Sequence, residues 1–202
     1  MNKGYFISFE GSDGVGKSTQ IKLLESYLKD LGHELLVLRE PGGTQISEAI
    51  REILLDKNNA KMSESAELLL YEAARAQLCE ELIKPALVRG VTVIADRFYD
   101  SSLAYQGFGR GIDLNEVQSL NEFATGGLKP DITFLLHLPN SLSRKLIDHE
   151  ADRLELAGEE FMSRVQTGFL EIAKAEPERI KLIDASGSKE EVFSRIIAEL
   201  PC

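Results

Sequence analysis

The chain has 202 residues, a formal net charge of −10, 43% hydrophobic and 28% charged residues, which suits one domain, spanning 1–202, with a substantial core. No basic stripe or tail stands out, which argues against a nucleic-acid polymer as partner, while a few converging cations remain able to hold a small anion. No apolar run reaches membrane-spanning length, the opening MNKGYFIS lacks a signal peptide's apolar stretch, and Cys79 and Cys202 have neither metal nor redox spacing, so a cytoplasmic protein away from membranes is expected.

Residues 5–10 (YFISFE) read as a short apolar strand, and 17–31 as a helix with apolar positions at Ile21, Leu24, Leu28 and Leu31. Between them runs Gly11-Ser12-Asp13-Gly14-Val15-Gly16-Lys17-Ser18, then Thr19. Two glycines with four residues between them, followed by lysine and a hydroxyl, form the P-loop pattern that cradles phosphates. Its backbone N–H groups and the following helix N-terminus attract the anion. Lys17 can then reach the β/γ-phosphates of a nucleoside triphosphate, and the Ser18 hydroxyl can ligate Mg²⁺.

Further strands are expected at 35–39, 91–96, 132–138 and 180–184, with helical patterns at 47–55, 63–89, 115–125, 161–175 and 189–200. Asp113 with Glu116 three residues on has the spacing of a capping box. Nearly continuous apolar strands alternating with helices predict an α/β P-loop NTPase fold, a five-stranded parallel sheet flanked by helices. The second strand ends in Arg39-Glu40-Pro41-Gly42-Gly43-Thr44, and the third in Asp96-Arg97-Phe98-Tyr99-Asp100-Ser101-Ser102, leading to Tyr105-Gln106-Gly107. Open α/β sheets bind ligands at strand ends, where a guanidinium can clamp a phosphate through two hydrogen bonds. Asp96 suits a Mg²⁺-holding carboxylate or an N-cap for the following turn. Tyr71 and Arg75, four apart, share a helix face; spacing alone favours a core tyrosine with an exposed arginine over a base-binding pair. The polar stretch 140–158 reads either as a solvated helix and turn or as a short lid over bound nucleotide. An Asn-Lys-x-Asp guanine-reading motif is absent, which argues against a GTPase-type switch.

The series FEG-x-D-x-x-GKST, REPGGT, YEAARAQ, IKPALVRG, DRFYDSSLAYQG, KPDITFLL and DRLE, in order from Phe9 to about Ala185, resembles the bacterial thymidylate kinases. The resemblance implies transfer of the γ-phosphoryl group of ATP to dTMP, giving dTDP and ADP, with Mg²⁺ and a homodimer built on the long helices. It implies clamping of the acceptor phosphate by Arg39 and Arg97, stacking of thymine on Tyr71, and a hydrogen bond to the base from Arg75. Tyr105 matches the residue against the sugar's 2′ position, Ser102 faces the base, and Gln106 lies beside it. Asp13 matches the acid that organises acceptor phosphate and Mg²⁺. The P-loop Ser12-Asp13-Gly14-Val15 carries no basic residue, so the resemblance turns to the lid for one. Arg144, Lys145 and Arg153 are the candidates, Arg144 resembling the arginine that stacks on adenine and Arg153 a phosphate-touching one. His137 replaces the usual aspartate before the lid and is assigned no role.

Overall fold

The computed structural model describes residues 4–138 and 153–200. Five strands, β1 (Phe6–Glu10), β2 (Leu35–Arg39), β3 (Thr92–Asp96), β4 (Ile132–His137) and β5 (Ile180–Asp184), form a parallel sheet in the order β2-β3-β1-β4-β5. The strands fall within a residue of the expected spans. The three inner strands are buried almost throughout, whereas the edge strands expose Val37 and Leu182, because each edge has a neighbour on one side only.

Helices cover both faces. On one, α1 (Lys17–Asp30) and the last helix, α8 (Lys189–Ala198), bring Leu24, Leu28, Val192 and Ile196 against Ile7, Phe9, Phe134 and Leu136. On the other, Phe6, Val93 and Ala95 meet Ile83, Ala86, Leu87 and Phe98. A third cluster joins Tyr105 and Leu135 to Phe161, Val165 and Phe169 of α7 (Glu159–Ala175).

The expected single helix over 63–89 is three pieces: α3 (Glu64–Leu78), a π-type turn over Cys79–Ile83, and α4 (Lys84–Val88). Pro85 lies within the first turn of α4, where its missing N–H breaks a regular α ladder and a wider turn absorbs the mismatch. After β3 comes a short helix α5 (Tyr99–Ser102), running into a second π-type stretch, Leu103–Gly109. That stretch packs closely on α7: a Cβ on Gly109 would lie 2.7 Å from the Phe161 ring. Helices α2 (Gln45–Leu55) and α6 (Leu114–Thr125) complete the outer layer. Asp113 caps α6 by accepting from the N–H groups of Asn115 and Glu116, while the reciprocal capping box is found at Ser188 and Glu191, opening α8.

Candidate active site

In a parallel sheet the carboxyl ends of neighbouring strands stand in a row. Register sets Phe9 beside Asp96 and Asp96 beside Arg39, so the P-loop, the acid and the first arginine meet at one edge. A cleft of about 770 Å³ opens there. It is lined by Asp13, Gly14, Gly16, Lys17, Ser18 and Thr19 of the loop, and by Arg39, Tyr71, Arg75, Asp96, Arg97, Ser102, Tyr105 and Gln106. Sequence-predicted residues from Asp13 to Gln106, 93 positions apart in the chain, are thus brought together.

Gly16, at φ 93°, begins α1 with no side-chain cap, leaving the first helical N–H groups for an anion. Lys17 is buried and donates from Nζ to the carbonyls of Gly11 and Ser12, each at 3.0 Å. Burial, then the Arg97 charge, push its ammonium down to about 8 against the pull of Asp13, Asp96 and Glu10. Ser18 donates from Oγ to Asp96 Oδ2 at 3.2 Å. The N-cap alternative for Asp96 is not realised, since α5 begins after Phe98 without a side-chain cap. Val15 turns away into the core, and Gly11 and Ser12 act through the carbonyls that hold Lys17.

Arg97 has a left-handed backbone (φ 70°), alone among the described non-glycine residues, a conformation that costs about 1–2 kcal/mol. Several contacts hold it. Its N–H donates to Phe9 O at 2.9 Å; Nη1 donates to Gly11 O at 3.0 Å, and Nη2 to Asp13 Oδ1 at 2.8 Å. The guanidinium also sits 5.3 Å from the centre of the Tyr105 ring. Beneath it, buried Glu10 accepts from the Phe98 N–H at 2.7 Å and the Ser101 hydroxyl at 2.6 Å. Burial first, then the nearby Asp100 carboxylate, raise Glu10 to about 7, with Arg97 and those two hydrogen bonds opposing.

Arg39 donates to Pro41 O at 3.0 Å and to Glu48 Oε2 at 3.0 Å, with its side chain about half exposed. Arg51, missed in the sequence reading, also lines the cleft and donates to Pro41 O at 2.9 Å. Its signal was available: it lies on the helix following REPGGT, the face of which returns to the same loop.

Arg75 overturns the exposed-arginine expectation. It is 2% exposed and bonded from every side. Nε donates to Glu40 Oε2 at 2.8 Å, and Nη1 to Glu72 Oε1 at 2.6 Å, Ser102 Oγ at 2.8 Å and Asn121 Oδ1 at 2.9 Å; Nη2 reaches Phe98 O at 3.3 Å. Burial raises Glu40 to about 7, and Arg75 restrains the rise. Ser102 in turn donates to Glu72 Oε1 at 2.8 Å.

Arg153 is not among the cleft-lining residues. Its Nε donates to Leu54 O at 2.8 Å and its Nη1 to Glu67 Oε2 at 2.6 Å, which commits the side chain to α2 and α3. Arg144 and Lys145, with most of the expected lid, lie outside the described residues. His137 ends β4 in register with Asp184 of β5.

A phosphate-cradling loop, a hydroxyl–carboxylate pair and several arginines around one cleft define a P-loop kinase acting on a small phosphorylated acceptor. Residues 9–196 match the family model described as thymidylate kinase. The chain is 50% identical over 184 residues to a thymidylate kinase of Desulforudis audaxviator (90% of this chain, 83% of the relative). Against one from Caldanaerobacter subterraneus it is 52% identical over 183 residues (90% and 88%). A crystal structure of thymidylate kinase from Ehrlichia chaffeensis superposes with a TM-score of 0.78 at 34% identity, covering 97% of this chain and 98% of that one. The chain belongs to the thymidylate kinase family. It is an enzyme that phosphorylates dTMP to dTDP with ATP as donor.

Proposed function

We infer that ATP binds with its phosphates on the loop Gly11–Thr19, and that dTMP binds with its phosphate between Arg39 and Arg97 and its base towards Tyr71, Ser102 and Gln106. The observation that carries this reading is Arg97, held in a strained backbone with its guanidinium against both the P-loop carbonyl of Gly11 and Asp13. Strain of that kind persists where surrounding contacts over-determine it, and it concentrates at functional sites.

No general base is needed, because a phosphate monoester with a second pKa of about 6 is largely dianionic at neutral pH. The obstacle is the meeting of two anions. Lys17, Arg39, Arg51 and Arg97 offset that repulsion and hold the reacting groups in line. Ser18 and Asp96 suit Mg²⁺: both are hard oxygen donors, they lie 3.2 Å apart beside Lys17, and Asp13 stands across the loop. No group of three metal-ligating side chains occurs among the described residues, which fits an ion held mainly by nucleotide phosphates and water. When bound, Mg²⁺ supplies neutralisation of charge on the phosphates.

For the base, the 3.3 Å contact from Arg75 Nη2 to Phe98 O is the longest of that guanidinium's bonds, and a thymine O4 would take its place. Gln106 donates from Nε2 to Glu67 Oε1 at 2.9 Å, leaving its Oε1 to accept the thymine N3–H. Tyr105 closes the sugar side. The basic group for the transferring phosphoryl is then a matter for Arg144 or Lys145 rather than Arg153, whose guanidinium is committed to Glu67 and Leu54. The whole chain works as one catalytic unit. Leu69 of α3 and Phe123 of α6 are 55% and 86% exposed on two helices that pack against each other, which supports a homodimer built on these helices. A cytoplasmic setting belongs to the same reading; no helix among the described residues is long and apolar enough to cross a membrane.

Arg97→Ala tests the assignment. Turnover falls by about 10³ or more while ATP affinity changes by less than about threefold, as for other arginines acting on a transferred phosphoryl group. Turnover surviving within about tenfold removes Arg97 from the clamp.

A further inference from the structure

Glu67 lies on α3, one helical turn before Tyr71 and two before Arg75. It is 1% exposed, and neither its position nor its motif drew attention in the sequence. Four donor groups converge on it. Gln106 Nε2 donates to Oε1 at 2.9 Å, Arg110 Nε to Oε1 at 3.1 Å and Nη2 to Oε2 at 2.9 Å, and Arg153 Nη1 to Oε2 at 2.6 Å. Burial opposes charge on this carboxyl, and the Arg110 and Gln106 hydrogen bonds outweigh it, so it stays ionised below the usual range.

An ionised carboxylate only accepts hydrogen bonds. A neighbouring amide must therefore turn its NH₂ towards Glu67, whichever way round it would otherwise settle. Gln106 lines the cleft, and among the described residues nothing donates to its Oε1. We propose that Glu67 is a positioning residue for base selection: it locks the Gln106 amide so that a carbonyl, never an NH₂, faces the acceptor's base. The lock is firm because the same carboxylate is held on its other sides by two guanidiniums from distant segments, Arg110 at the end of the π-type stretch and Arg153 before α7. A fixed acceptor selects bases with a ring N–H, such as thymine and uracil. It rejects cytosine, whose corresponding nitrogen is itself an acceptor. This rests on the reading that Gln106 faces the base, and the test separates the two.

In Glu67→Gln the residue can donate as well as accept, so the Gln106 amide is free to turn. The kcat/KM ratio for dTMP over dCMP falls by about tenfold or more, the equivalent of losing one charge-assisted hydrogen-bond preference, with the gain on dCMP seen mainly in KM. A merely structural ion-pair hub lowers thermal stability and reduces both acceptors in parallel, leaving the ratio unchanged; that result overturns the proposal. Gln106→Leu supplies the second arm, without disturbing the two arginines on Glu67. It narrows the ratio by itself, and adding Glu67→Gln narrows it no further. An unchanged ratio in Gln106→Leu defeats the base-facing reading, and the proposal with it. A narrowed ratio in Gln106→Leu beside an unchanged one in Glu67→Gln defeats the role of Glu67 alone.

Discussion

Replacing Arg75 by alanine leaves two buried carboxylates without their cation. The Glu40 and Glu72 side chains are 4% and 6% exposed and lie 2.8 and 2.6 Å from the guanidinium, while Ser102, Asn121 and Phe98 lose a donor each. Breaking one buried pair by removing a partner costs about 3–5 kcal/mol, and two acids share this arginine. At about 2–4 °C per kcal/mol for a chain of this size, the melting temperature should fall by roughly 6–20 °C. The loss also depends on pH. Glu40 titrates near 7 in the folded protein against an ordinary 4.5, so the folded state holds the extra proton between those values. Its contribution to stability declines as pH rises through that window and then levels off. Arg75 is what restrains the rise. Without it the folded value climbs further, and the variant keeps losing stability above pH 7 where the parent has levelled off. Urea unfolding of both proteins at several values between pH 6 and 9 measures the difference. A deficit under about 1 kcal/mol that is flat with pH refutes the reasoning, and returns Arg75 to a role in base contact alone.

Phosphate binding should draw a proton onto Lys17, whose ammonium burial pushes down to about 8 and which an incoming anion favours in its charged form. Calorimetry of ATP binding at pH 8 in buffers of different ionisation enthalpy then reports proton uptake, and heats that do not vary with buffer contradict it. Asp96→Asn keeps the Ser18 contact but removes the charge, so the Mg²⁺ concentration for half-maximal turnover should rise about tenfold; an unchanged Mg²⁺ titration excludes Asp96 from the metal site. Arg97→Gly should melt higher than Arg97→Ala, by the equivalent of about 1 kcal/mol, because glycine accepts φ 70° without strain. Equal melting temperatures would show that the backbone relaxes.

Much of the fold and half of the site were legible because their signals are local. The P-loop glycines, the apolar strands and the residues just past them are set by neighbours a few positions away, and those expectations hold to within a residue or two. The π-type stretches at Cys79–Ile83 and Leu103–Gly109 escaped because a wider turn has no hydrophobic period of its own. Arg75 was misread for a different reason: helix spacing places it beside Tyr71, but its environment comes from Glu40, Phe98 and Asn121, 23 to 46 residues away. Arg153 and Glu67 are 86 residues apart, and no pattern along the chain announces that they meet.

The most direct measurement is ADP release with Mg·ATP and a panel of dTMP, dUMP, dCMP, AMP and GMP, run on the parent and on Arg97→Ala. The account predicts strong preference for dTMP, dUMP a poorer second, and near loss of turnover in the variant. Preference for another monophosphate, or a variant that keeps turning dTMP over, would contradict it.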